Sequence, residues 1–410
     1  MRPQVKILLG NGQLGRQVAN ADGLALLVVG LPTAYAATIS GQLFYSLRDA
    51  EVFGFTAEAD ADHNALAWEH IKDFYKEAGE GAPLHVLPVA NDTSLAEVFT
   101  LTEAAYTALQ SLLQAEAGGI RLMAVALNPV AAEATLASGV TADLLQAVPL
   151  AQAFAATEFA RYRPIEVVLE GRAFTGVAAT AFDLRTLASN SVAVAVGRDQ
   201  LRVAELVAEG ITVASKFAHV GTVLGRLAAS PVQRSIGRVR SGALVGLRKA
   251  SLSGGTLVSA LAETSLDVLT DKGYIFPLNH PGKNGFFFND DSTCAAVTDD
   301  YAYLKDSRVI HKAARIARAI YLEELLDDVS VDAATGKLPA IEIARFSNVL
   351  ENAIEAGMVV TGEAVAVSVY VDPNQNVTAT DKIKAVVRIT KKATARTIEA
   401  TVEFFNPFNS

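Results

Sequence analysis

Ile120-Arg121-Leu122-Met123-Ala124-Val125-Ala126-Leu127 is an apolar run of strand length, interrupted by a single arginine. A strand with one wet face alternates polar and apolar residues. A run apolar on both faces belongs to a sheet covered on both sides, which is the habit of parallel sheets. Upstream, 84–89 is a second such run. Between them, 94–114 has helical periodicity, with Leu95, Phe99, Leu109 and Leu113 on the apolar side. Further out, 24–29, 165–169 and 192–196 are strand-like, and 63–77, 141–161 and 216–229 read as helices. Short apolar runs alternating with helices predict a layered α/β domain around a mainly parallel sheet.

The pattern changes near Ala250-Ser251-Leu252-Ser253-Gly254-Gly255. Residues 273–288 are rich in Gly, Pro and aromatics, and helices are expected at 306–328 and 339–357. The second opens at Pro339, aligns Ile343, Phe346, Leu350 and Ile354 on one stripe, and closes at Gly357. Strands at 365–371, 382–389 and 396–405 finish the chain. The expected fold is thus α/β plus α+β: an N-terminal arm over 1–25, an α/β module over 26–264 and an α+β module over 265–410.

Bulk properties narrow the functional classes. A net charge of -9 argues against nucleic acid as a general partner. Hydrophobic residues reach 51% and mean hydropathy is +0.28, yet no apolar run approaches the roughly 18 residues that a membrane helix needs. Surplus apolar surface without a membrane span fits either burial between subunits or an Ala- and Val-rich core. The lone Cys294 rules out an internal disulfide framework, and the N-terminus lacks a signal-peptide core, so synthesis in the cytoplasm is expected.

Several motifs invite a catalytic reading. Gly10-Asn11-Gly12-Gln13-Leu14-Gly15 matches the dinucleotide fingerprint G-x-G-x-x-G after an apolar strand. The helix that should follow is broken by Asn20-Ala21-Asp22-Gly23, and after Asp22 the next acid is Asp49, so the ribose-binding carboxylate is missing. An NAD(P)-dependent oxidoreductase using Gly10–Gly15 stands as the competing function. Asp372-Pro373-Asn374-Gln375-Asn376 opens like a calcium loop, but Val377 and Ile383 occupy the positions that need Gly and Glu; a polar hairpin turn is expected. The six histidines include no zinc-binding pair, and His70 reads as a core histidine. Cys294 reads as a buried thiol, and the pairs Asp290-Asp291 and Asp299-Asp300 as solvated loop. No catalytic, metal or cofactor site is predicted.

Two features are hard to place in an isolated monomer. Ile398, Ala400, Val402 and Phe404 alternate with polar residues in a strand at the end of the chain, as Val5, Ile7 and Leu9 do at its start. Terminal strands must be held, either by their own subunit or by addition to a neighbour. The helix 306–328 is also charged against its dipole: Arg308, Lys312, Arg315 and Arg318 lie in its first half, Glu323, Glu324, Asp327 and Asp328 in its second. That arrangement forgoes about 0.3–1 kcal/mol per charge, which fits either positive charge placed for an acidic partner or a solvated face with intrahelical pairs.

The segments 6–15, 70–75 (His70-Ile71-Lys72-Asp73-Phe74-Tyr75) and 280–291 (His280-Pro281-Gly282-Lys283-Asn284-Gly285-Phe286-Phe287-Phe288-Asn289-Asp290-Asp291), taken in order with 298–301, 308–313 and 371–377, resemble a bacterial family of contractile tail sheath proteins, found in phage tails and related injection systems. The resemblance implies a two-module fold whose terminal β-strand arms exchange between subunits, with Val5, Ile7, Leu9, Ile398, Ala400, Val402 and Phe404 in those arms. It implies a homo-oligomeric helical cylinder around an inner tube protein, capped by baseplate and tail-terminator proteins, which contracts to drive the tube through a target envelope. Arg308, Lys312, Arg315 and Arg318 fit the tube-facing helix. Assembly in the bacterial cytoplasm, no enzyme activity, no cofactor, no nucleic acid and no membrane insertion go with this reading. Another self-assembling tube or shell protein is a further alternative.

Overall fold

A computed structural model describes residues 22–36, 41–129 and 135–404. The chain divides between Arg318 and Ala319 into two compact units.

The first unit is built on a seven-stranded sheet of β1 (Ala25–Leu31), β2 (Gln42–Phe44), β3 (Leu84–Ala90), β4 (Leu122–Ala126), β5 (Glu166–Glu170), β6 (Val192–Ala195) and β9 (Tyr274–Ile275), in the order β2-β3-β1-β4-β5-β6-β9. All neighbours are parallel except the edge strand β2, which runs antiparallel to β3. Every residue of β1, β4, β5 and β6 is buried. Alternate side chains feed two cores, as the pleat requires. Leu26, Val28, Met123 and Val125 face the helices Ala104–Ala115 and Ala142–Ala160, whereas Leu27, Val29, Leu122 and Ala124 face the helices Ala67–Ala78 and Val220–Ala229. The short antiparallel pairs β7 (Gly197–Asp199) with β8 (Ala250–Leu252) and β10 (Pro277–Leu278) with β11 (Phe287–Phe288) complete the unit. Because β9 pairs with β6, this sheet extends past the expected module boundary at 264/265.

The second unit is α+β. The helix Ala340–Ile354 follows Pro339 at its N-cap and buries Phe346, Leu350 and Ile354, three of the four predicted stripe positions. It packs on an antiparallel hairpin of β12 (Ala364–Val371) and β13 (Ala385–Lys391). The residues 372–384 between these strands form the expected polar turn: Asp372 accepts the Asn374 amide, and Asn376 caps the short helix Val377–Thr380.

Three predicted elements come out differently. The helix expected at 63–77 starts later, as Ala67–Ala78, because Asn64 at φ 48° is the left-handed C-cap of a preceding, unforeseen helix Ala57–His63. The helix expected at 94–114 is broken into Leu95–Val98, with a Ser94–Glu97 capping box, and Ala104–Ala115. The strand expected at 396–405 does not form among the described residues, which carry no strand after Lys391.

The helices Ala67–Ala78 and Val220–Ala229 touch backbone to backbone. A Cβ on Gly221 would come within 2.2 Å of the His70 carbonyl oxygen, and one on Gly225 within 2.4 Å of that of Phe74. Gly225→Val is therefore expected to lower the unfolding free energy by about 1–3 kcal/mol or more, read from urea denaturation. An unchanged midpoint would contradict this contact.

Candidate assembly surfaces

The helix Leu304–Glu323 begins at a buried cap. Asp291 accepts the Leu304 amide on its backbone oxygen and the Lys305 amide on Oδ2. Asp291 is thus not the solvated loop residue expected, for it is 1% exposed. Burial, with Asp290 alongside, pushes its carboxyl up to about 7.

The basic stripe of this helix was expected to face an acid outside the chain; it meets one inside. Asp22 accepts from Arg315 at 2.5 Å, Lys312 at 2.8 Å and Arg121 at 2.7 Å. Burial alone would raise the Asp22 carboxyl, but Lys312, Arg315 and Arg121 outweigh it and hold the group below its ordinary value. Arg308 is 4% exposed and donates to the Ser230 carbonyl at 3.0 Å. One turn on, His311 Nδ1 lies 2.8 Å from the buried Glu166 carboxylate. Arg318 is the exposed member of the stripe, with its guanidinium 3.5 Å from the centre of the Tyr162 ring. Three of the four residues assigned to tube contact therefore serve the subunit itself, because burying a strand-end carboxylate requires cations around it. Sequence patterning found the cations but not Asp22, which lies 293 residues from Arg315.

The second unit presents unsatisfied surface. Apart from their pairing with each other, neither β12 nor β13 has a strand partner among the described residues. Val365, Tyr370 and Val386 are exposed on them. After β13 the chain leaves the fold: Ile398 is 84% exposed, Val402 93% and Phe404 fully exposed. Ala400 is exposed as well. A tail with apolar side chains at alternate positions is thus not folded back on its own subunit. Val5, Ile7, Leu9 and the Gly10–Gly15 motif lie outside the described residues.

His70 is fully buried with Nε2 3.2 Å from Asn128 Nδ2, and burial pushes it down to about 3. His219 Nδ1 is hydrogen-bonded to Asp73 between the two glycine-packed helices, beside a cavity of about 120 Å³ that no serine or cysteine lines. The pair was not foreseen from sequence. Cys294 is buried, and its thiol is pushed up to about 12. Among the described residues no group of three His, Cys, Asp or Glu could hold a metal ion, and no helix is long and apolar enough to cross a membrane.

Two measurements test these ionic groups. Asp22→Asn leaves three cations facing one another and is expected to cost about 3–5 kcal/mol. Since the folded carboxyl titrates below its ordinary value, the difference from wild type should be full above that value and should fade as pH falls through the depressed one. Asp291 carries the opposite sign. Its stabilising contribution is present below the ordinary carboxylate value and is lost as pH rises towards 7, so Asp291→Asn should flatten the fall of melting temperature between pH 4 and 7.

Comparison with known structures extends over the whole chain. A chain of the anti-feeding prophage (AFP) helical sheath in its contracted state matches at 14% identity and TM-score 0.61, covering 99% of both chains. A chain of the AFP baseplate, six-fold symmetrised, matches at 14% identity and TM-score 0.62, also over 99% of both. A chain of the PVC sheath complex, an extracellular contractile injection system in its contracted state, matches at 12% identity and TM-score 0.50, covering 98% of this chain and 97% of that one. At such identities the likeness is one of fold. No curated protein sequence matches. The DUF2586 N-terminal domain matches residues 2–292 and the DUF2586 C-terminal domain residues 300–409. Matched by both domains over nearly its full length, the chain belongs to the DUF2586 family.

Proposed function

We propose that this protein is the sheath subunit of a contractile tail or injection machine, polymerising as a helical cylinder around an inner tube and contracting to drive that tube through a target envelope. The observation that carries the reading is the end-to-end fold match to a contractile sheath chain. Assembly takes place in the bacterial cytoplasm, with further copies of the chain, the inner tube, the baseplate and the terminator as partners.

In this reading the terminal arms are exchanged. The tail residues Ile398, Ala400, Val402 and Phe404, together with Val5, Ile7 and Leu9, add strands to the β12–β13 hairpin of neighbouring copies. Two facts support it. A two-stranded hairpin is marginal by itself, and the tail is exposed along its apolar positions, as a strand that adds to a neighbour would be. Tube contact narrows to Arg318 and its exposed surroundings, since Arg308, Lys312 and Arg315 are engaged internally. Contraction then consists of subunits exchanging one packing for another, with the shared strands keeping the lattice connected.

Deleting 395–410 is expected to leave a folded subunit, with wild-type circular dichroism and melting, that no longer forms cylinders in electron micrographs. Cylinders of wild-type appearance from that deletion would overturn strand exchange.

A further inference from the structure

The buried pair of Asp73 and His219 leaves one nitrogen unused. Nδ1 of His219 is bonded to Asp73, but Nε2 is buried and has no hydrogen-bond partner among the described residues. His219 is only 7% exposed. Burial would raise the Asp73 carboxyl, but the charge and hydrogen bond of His219, together with Lys76 and Lys72, outweigh it and hold the group below its ordinary value. An imidazolium facing that carboxylate has a second donor at Nε2.

His219 is also the N-cap of the helix Val220–Ala229. No side chain caps that terminus, and its first turn holds no acid. The amides of Gly221 and Thr222 have no acceptor among the described residues. The Thr222 hydroxyl has no partner either, although Thr222 is as buried as His219. Uncapped amides at a helix N-terminus carry partial positive charge and favour an anion. Both His219 and Thr222 line the cavity of about 120 Å³, which residues 245–248 and the helix Ala67–Ala78 also border. A water needs about 10–15 Å³ of such a cavity, so there is room for an ion of phosphate size.

Two acids and three further cations complete the charged lining. The acids are already satisfied: Asp73 by His219 and Lys76, Asp199 by Arg248 Nε and the amides of Leu201 and Lys249. Arg202 is held by Glu69, Glu205 and Glu209. Arg248 Nη2 has no acceptor among the described residues, and Lys76 has Asp73 as its hydrogen-bond partner there. The side chains of Lys76 and Arg248 are 35% and 45% exposed, which puts them at the mouth. We propose that this cavity binds a single tetrahedral oxyanion, phosphate or sulfate. Its oxygens accept from His219 Nε2, the Thr222 hydroxyl and the free amides of the helix terminus, and Lys76 and Arg248 close over it. A cation is the wrong occupant, because the acids are engaged and the unused groups are donors. The inference concerns the first unit alone and does not rest on the sheath reading.

Calorimetric titration of the purified chain with inorganic phosphate, at an ionic strength held constant with chloride, should show one saturable site. His219→Asn keeps a donor for Asp73 near the Nδ1 position and removes Nε2. It should weaken phosphate at least about tenfold, the loss of one hydrogen bond to a charged group. Thr222→Val keeps the shape of its side chain and should weaken phosphate by a smaller factor, so a folding defect in the first variant leaves the test intact. Phosphate should also raise the melting temperature of wild type more than that of either variant, a comparison that cancels its general salting effect. Glycerol 3-phosphate distinguishes the sources of the ligand. Phosphate binding at least as tightly as the ester supports a free ion, and tighter binding of the ester supports a phosphoryl group of a larger molecule; the oxyanion chemistry is upheld by both. No saturable binding to wild type, or equal binding to wild type and both folded variants, would overturn the site and leave the cavity to water.

Discussion

A carboxylate just before a central strand, surrounded by cations from distant parts of the chain, ties the sheet of the first unit to the helix Leu304–Glu323. Asp22 stands just before β1, and its partners come from the start of β4 and from the helix Leu304–Glu323. Such a cluster is stable only while complete: three cations without the acid repel one another, and the acid without cations is buried at a penalty. Arg308 on the Ser230 carbonyl, His311 against Glu166 and the Asp291 cap fix the same helix along its first turns. That helix continues beyond Arg318, where the first compact unit ends. The chain therefore enters its second unit from a well-anchored element.

Legibility from sequence followed the range of the interactions concerned. β1, β3, β4, β5 and β6 were legible because a strand buried on both faces is mostly apolar along its length, a local property. The helix Ala142–Ala160 was legible with its ends, since Thr141 accepts the Leu144 amide as N-cap. The helix Ala57–His63 and its left-handed cap Asn64 were not, because a short helix with one buried residue leaves little periodic trace. Nor was the destination of the basic stripe. Charges running against a helix dipole do point to an acid nearby, but spacing cannot say whether that acid is in the same chain. Here it came from the opposite end of the first unit.

The C-terminal tail shows the complementary case. The alternation at Ile398, Ala400, Val402 and Phe404 is a genuine strand pattern, yet those residues form no strand on their own subunit. Sequence encodes a preference for extended backbone and two unlike faces; a strand also needs a partner edge. This segment has the preference and, among the described residues, no edge to pair with.

The contact at Gly221 and Gly225 has a mechanical meaning. Two helices separated by side chains can slide or tilt as rotamers adjust, whereas helices in backbone contact have no compliant layer between them. Together with a sheet filled on both faces, they make the first unit behave as a solid block. Any displacement imposed on such a block is passed on whole, and bending is left to the connections at its margins.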